Sequence, residues 1–258
     1  MTITGSNFIY AGQSSDEYGV KLCYIGSPNK DTNDEESKLV TTKNIFKETW
    51  DFHYLERTNP LQFKITVAKT SCEPFNADEQ RYLKKWLCKN KFNWLSIDQD
   101  DLYDSYFYVI MTNPRPSNIE AFTYAWDIDC TCDCGHAWSG LNKKNATVNN
   151  TLNMALNFST DFDEYIVRPF ITIVPTSVGT VNITNVTTGK SMIIDNCVVG
   201  EIIKIDCLNH KQQSSSGRVI LDNWNKTYVE FVENMNNLTL SGNFTVSFEY
   251  RLPVRIGG

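Results

Sequence analysis

Residues 170–206 read FITIVPTSVGTVNITNVTTGKSMIIDNCVVGEIIKID. Ile171, Ile173, Val181, Ile183, Ile202 and Ile205 recur where a half-buried sheet takes apolar side chains. Gly179, Thr188-Gly189, Asn196 and Gly200 break the runs with turn chemistry. The pattern continues past Gly242 to Val246, Phe248 and Tyr250, and no catalytic constellation interrupts it. Short strands joined by turns over such a length predict a β-sandwich, a fold that generally serves contact with partners or sugars.

Upstream, Asn7-Phe8-Ile9-Tyr10, Gly12 and Ser14 to Leu22 read as strand, turn and strand. The tract NKDTNDEESK at residues 29–38 is a poor core former and predicts a mobile loop or hairpin tip. Leu61, Phe63, Ile65 and Val67 alternate cleanly with Gln62, Lys64 and Thr66. One helix is predicted at about residues 77–89: Asn76 caps it, Glu79 completes a capping box, and Tyr82, Leu83, Trp86 and Leu87 form its apolar stripe. Strands resume at Phe92 to Ile97, Tyr106 to Met111 and across Phe122 to Trp138. The polar, Asn-rich stretch Asn142 to Asn153 reads as a boundary between two domains, 1–140 and 141–258. The fold class is mainly β with a single helix.

The chain has 258 residues and a formal charge of -6, which disfavours the basic surface that nucleic-acid binding generally uses. Aromatic content of 12% leans toward β structure. Met1 to Tyr10 lacks the basic start and apolar core of a signal peptide, and no stretch is long and apolar enough to span a membrane. A protein made and kept in the cytosol, or packed there into a larger particle, is expected. Its eight cysteines then read as free and mostly buried thiols, and its Asn-x-Ser/Thr triplets as a by-product of composition.

Local motifs give no chemistry. Cys130, Cys132, Cys134 and His136 carry zinc-ligand types, but alternate residues of one strand do not make a tetrahedral site without a second knuckle. Cysteines facing a core are the plainer reading. Gly189-Lys190-Ser191 imitates a phosphate loop, yet Thr184 replaces its first glycine and a strand follows, so a hairpin turn is expected. Asp98, Asp100, Asp101 and Asp104 form an acidic turn without the glycine or terminal glutamate of a calcium loop. His53, His136 and His210 lack a nucleophile and an orienting acid in sequence, so no catalytic residue is assigned and no enzyme is expected.

The order of these features resembles the distal tail protein (Dit) family of long-tailed bacteriophages. Phe8-Ile9-Tyr10, Gly12, Ser14-Ser15-Asp16 and Tyr18-Gly19-Val20 are similar to that family's start, with Glu17 inserted before the tyrosine. The helix ending in Lys85-Trp86-Leu87 resembles the single helix of its first domain. Phe170 to Ile173, Val181 to Asn185, Thr188-Gly189, Gly200-Glu201, Ile203 to Asp206 and Val246 to Arg251 resemble its second domain. The likeness runs in order from about residue 7 to 251. The three close cysteines and the lack of long insertions in the second domain depart from the family, and the latter weighs against an added sugar-binding module.

The resemblance implies an N-terminal β-barrel-like ring-forming domain and a C-terminal galectin-like β-sandwich. It implies a homo-hexameric hub ring in the virion, at the tail tip or baseplate, assembled in the bacterial cytoplasm. The ring would join the tail tube protein to the tail-tip hub protein and the receptor-binding protein, with the tape-measure protein as a further neighbour and a central channel for DNA. The family implies no catalytic residue, no cofactor, no specific nucleic-acid binding and no membrane contact. Asp31, Asp34, Glu35 and Glu36, with Asp98, Asp100, Asp101 and Asp104, would then face the lumen and keep passing DNA from sticking. The alternative is a carbohydrate-binding sandwich that recognises a cell-surface glycan. It rests on Trp138, Trp224 and Tyr228 as exposed-looking stacking aromatics, although Trp224 and Tyr228 could equally pack inside the sandwich.

Overall fold

The computed structural model describes residues 5–26, 38–44, 51–162 and 165–255; the acidic positions Asp31, Asp34, Glu35 and Glu36 lie outside the described residues. The chain divides into two compact units, one through Trp138 and one spanning Ser139–Val254.

The first unit contains β1 (Phe8–Tyr10), β2 (Gln13–Ser14), β3 (Val20–Gly26), β4 (Lys38–Asn44), β5 (Asp51–Thr58), β6 (Gln62–Lys69), α1 (Ala77–Leu87), β7 (Asn93–Ile97), β8 (Tyr106–Ile119), β9 (Phe122–Cys132) and β10 (Ala137–Trp138). Its main sheet runs β2-β1-β7-β8-β9-β6-β3, with β10 on β8 through Trp138↔Tyr106. β4 and β5 pair with each other. Ser6 then closes the path by pairing with Leu22 on β3, each amide donating to the other's carbonyl at 3.0 Å. The N-terminal segment thus lies between β3 and β7, and the sheet curls into a barrel-like ring of strands.

Period-two alternation sets the core. Phe63, Ile65 and Val67 on β6 and Trp126, Ile128 and Cys130 on β9 all point inward and are buried. The helix starts as its sequence dictates: Asn76 Oδ1 accepts from the Glu79 amide, and Glu79 accepts from the Asn76 amide, both at 2.9 Å. Leu83, Trp86 and Leu87 are its buried side chains. Tyr82, expected in that stripe, is 63% exposed. It sits about 100° round the helix from Leu83, at the margin of the buried line. Trp86 is the anchor: its ring stacks on Tyr18 at 4.0 Å and on Phe8 at 5.4 Å, and its Nε1 donates to the Tyr10 carbonyl at 3.0 Å. One indole thereby ties the helix to the strand that closes the barrel.

The second unit contains β11 (Asn142–Phe158), β12 (Phe170–Pro175), β13 (Gly179–Asn185), β14 (Lys190–Cys197), β15 (Ile203–Asp206), β16 (Lys211–Ser214) and β17 (Asn234–Tyr250). The order is β14-β13-β17-β12-β15-β16, with β11 also on β17. The start of β17 pairs with β13, its end pairs with β12, and β11 follows it throughout, from Asn142↔Tyr250 to Phe158↔Asn234. Midway, Asn150 and Gly242 oppose each other with φ of 65° and 120°. The two strands share this left-handed break. Side chains from both halves, among them Ile183, Met192 and Leu240 with Ile171, Ile205 and Phe248, fill one buried core, as in a sandwich.

Asn142 to Asn153 is therefore strand and not the linker that its composition suggests. Asparagine is a poor strand former in isolation. Here the Asn and Thr residues take the outward positions, while Val148, Leu156 and Phe158 point into the core. Gly189-Lys190-Ser191 lies where β13 turns into β14, as a hairpin requires.

A Cβ at residue 242 would meet the Thr180 carbonyl oxygen at 2.5 Å, in a backbone conformation that L side chains avoid. Gly242→Ala is expected to lower the stability of the second unit by about 2 kcal/mol. Chemical denaturation followed by tryptophan fluorescence measures this, and an unchanged midpoint would contradict the shared bend.

Candidate functional site

The predicted acidic turn lies in the first unit, between β7 and β8, where residues 100–102 form a short 3-10 turn. Asp98, Asp100 and Asp104 are exposed; the side chain of Asp101 lies outside the described residues. A groove of about 360 Å³ joins these three carboxylates to Asp16, with the exposed side chains of Ile9 and Tyr103 beside them. The chain thus gathers acidic groups from two sequence-distant loops on one rim. Asp16 had no sequence signal tying it to the turn.

In the second unit the best-defined polar cluster surrounds Glu201, which is buried. Arg218 Nε donates to Glu201 Oε1 at 2.7 Å, Ser216 Oγ donates at 3.0 Å and Ser214 Oγ donates as well. The Val198 amide donates to Oε2 at 3.3 Å. Arg218 also reaches the Asp195 carbonyl at 3.2 Å. Burial alone would raise the Glu201 pKa, but the bonds from Arg218, Ser214, Ser216 and Val198 outweigh it and bring it down to about 2. Every oxygen of this carboxylate is occupied, so the cluster clasps the loop before β15 to the segment after β16. It offers no free acid or base. Its only sequence trace is a charged residue set among Val198, Val199, Ile202 and Ile203.

Cys130 and Cys132 are buried on β9, while Cys134 is half-buried beyond the strand's end. Burial pushes the Cys134 thiol up to about 12 and raises that of Cys130 as well. The Cys134 thiol donates to the His136 carbonyl at 3.4 Å, and the His136 ring meets Trp138 edge-on at 4.7 Å. Among the described residues, no three His, Cys, Asp or Glu side chains stand together as metal ligands would. The eight cysteines are unbridged, and Cys23 is exposed where a buried thiol was the general expectation.

The aromatics do not form an exposed platform. Trp224 is buried and meets Tyr228 edge-on at 4.8 Å. Tyr228 is covered on one face by His210, stacked at 4.3 Å. The bulk and apolarity that would suit a sugar are spent on packing the sandwich. Trp138 is half-buried.

Two family profiles match the chain in tandem, a phage tail protein N-terminal domain over residues 3–134 and a phage tail C-terminal domain over residues 136–250. The chain belongs to this phage tail protein family. No curated protein sequence matches it. Among solved structures it is similar to the Dit protein of phage SPP1, described as a paradigm of the hub adsorption apparatus of phages infecting Gram-positive bacteria. That likeness covers 96% of this chain and 100% of the other, at 10% identity and a TM-score of 0.67. A chain of the phage P2 baseplate in its activated conformation with calcium matches over 99% of this chain and 100% of its own, at 8% identity and a TM-score of 0.61. The corresponding strontium form gives 98%, 100%, 9% and 0.58. The fold is Dit-like from end to end.

Removing Arg218 leaves a buried carboxylate short of its charged donor, and Arg218→Ala is expected to cost about 2 kcal/mol at neutral pH. Because the folded pKa of Glu201 lies below the ordinary 4.5, its contribution is complete above that value and is lost as pH falls toward 2. The stability gap between the wild type and Glu201→Gln, measured by denaturant titration, should therefore close across this acid range. A gap that stays constant there would contradict the clasp.

Proposed function

We propose that this chain is a structural, non-catalytic component of the phage tail tip or baseplate, where six copies form a hub ring. The observation that carries the reading is the tandem match of both units to phage tail domains, together with a nearly end-to-end likeness to a tail hub protein fold. The curled sheet of the first unit would supply the ring contacts, and the helix anchored by Trp86 would brace it. The second unit, galectin-like by the resemblance, would hold peripheral components. The tail tube protein would sit on one side of the ring and the tail-tip hub protein on the other. The receptor-binding protein and tape-measure protein would be further neighbours, with assembly in the bacterial cytoplasm before incorporation into the virion.

The acidic rim of Asp98, Asp100 and Asp104 suits a channel wall, since like charge keeps DNA mobile instead of bound. Asp101 and the tract of Asp31, Asp34, Glu35 and Glu36 would add to it.

Negative-stain imaging of the chain co-expressed with its tail tube protein tests this reading. Six-fold rings with a central opening are expected; particles that stay single in the presence of that partner would contradict it. In a higher-resolution reconstruction the opening should be lined by these aspartates, and a wall of Lys and Arg would refute the channel role.

A further inference from the structure

An exposed strand edge carries a row of unpaired amides and carbonyls that will accept another strand. Among the described residues, most edges of the two larger sheets are short, closed or covered. β2 has two residues, and Ser6 closes the first sheet against Leu22. β16 has four residues and begins with Lys211. The edge of β14 is capped by Asn225, whose amide donates to the Ile193 carbonyl while its Oδ1 accepts from the Ile193 amide, both at 3.1 Å.

β11 differs. It is 17 residues long, and among the described residues β17 is its only neighbour. From Asn145 to Phe158 it contains no charged residue and no proline. Its free main-chain groups can be assigned. The Asn237 carbonyl accepts from the Val186 amide at 2.8 Å, and the Asn243 carbonyl from the Thr176 amide at 2.9 Å. Odd-numbered residues of β17 therefore face β13 and β12, and even-numbered ones face β11. Since Leu238 opposes Met154, the even residues of β11 bond to β17 and the odd ones point outward. Those outward residues include Asn145, Thr147, Asn149, Thr151 and Asn153, whose side chains are exposed or nearly so.

We propose that β11 docks on β11 of a second copy of this chain, antiparallel about a two-fold axis at Asn150. Asn150, the left-handed break, is the midpoint of the strand, so both strands bend together only in this register. The same register brings odd residues opposite odd residues, as the free amides and carbonyls require. Asn149 then faces Thr151 of the copy, and Thr147 faces its Asn153. The chain already makes such a pair within itself: Thr239 Oγ1 donates to Asn153 Oδ1, its register partner, at 2.9 Å. On the inner face, Val148 meets Leu152 of the copy and Ala146 meets its Met154. Antiparallel pairing also sends Lys143 and Lys144 of the two copies to opposite ends, whereas a parallel pairing in register would stack them. The result is an isologous contact, self-complementary along its length.

Light scattering on the purified full-length chain tests this with two double variants at exposed positions. Thr147→Lys/Asn153→Lys places like charges opposite each other across the two-fold, twice. Thr147→Asp/Asn153→Lys places opposite charges there. The wild type and the Asp/Lys variant should have twice the mass of the Lys/Lys variant, while all three give the same far-ultraviolet circular dichroism spectrum. The contrast between the two double variants is read on the chain alone, without its tail tube partner, so its failure is separable from a failure of the hub reading. Equal masses for the wild type and the Lys/Lys variant would overturn the proposal, as would equal loss of mass in both double variants.

Discussion

The second unit depends on one ladder. β11 and β17 stay in register through all 17 pairs, although the sheet must pass from one layer of the sandwich to the other. A flat ribbon cannot do this. The break is made once, by Asn150 against Gly242, and it permits a single strand to pair with β13 at one end and β12 at the other. Gly242 is required because the Thr180 carbonyl leaves no room for a Cβ. Asn150 can take the opposite position because its short amide tolerates the left-handed region. Without the break, the inner residues of the two halves could not share one core.

Elsewhere the polar groups are used to hold segments in place. The Glu201 carboxylate is saturated by donors from two loops, and its low pKa is a consequence of that holding. The Trp86 indole nitrogen is spent on a strand carbonyl. The most buried cysteines have thiols raised by burial, which keeps them protonated and unreactive near neutral pH. These are the traits of a part whose shape and edges matter. They agree with membership of a phage tail protein family.

Much of the fold was legible because its signals are local. The Asn76–Glu79 box set the helix start, and strict alternation set β6. The short runs from Phe170 onward predicted the sandwich. What escaped has a long reach in sequence. Arg218 and Glu201 are separated by 17 positions and share no motif. Ser6 closes the barrel on Leu22 with nothing in its own neighbourhood to announce it. β11 was hidden by its asparagines, which read as loop until their partner strand assigns them the outward face. The aromatics misled for the opposite reason: bulk suited to a ligand served equally well as filling, and only burial could separate the two.

The proposed place of this chain is the far end of the tail. Immunogold labelling of intact virions with an antibody against the chain tests that most directly. Gold is predicted at the tip or baseplate alone. Label along the tail tube, at the head, or absent from the particle would contradict it.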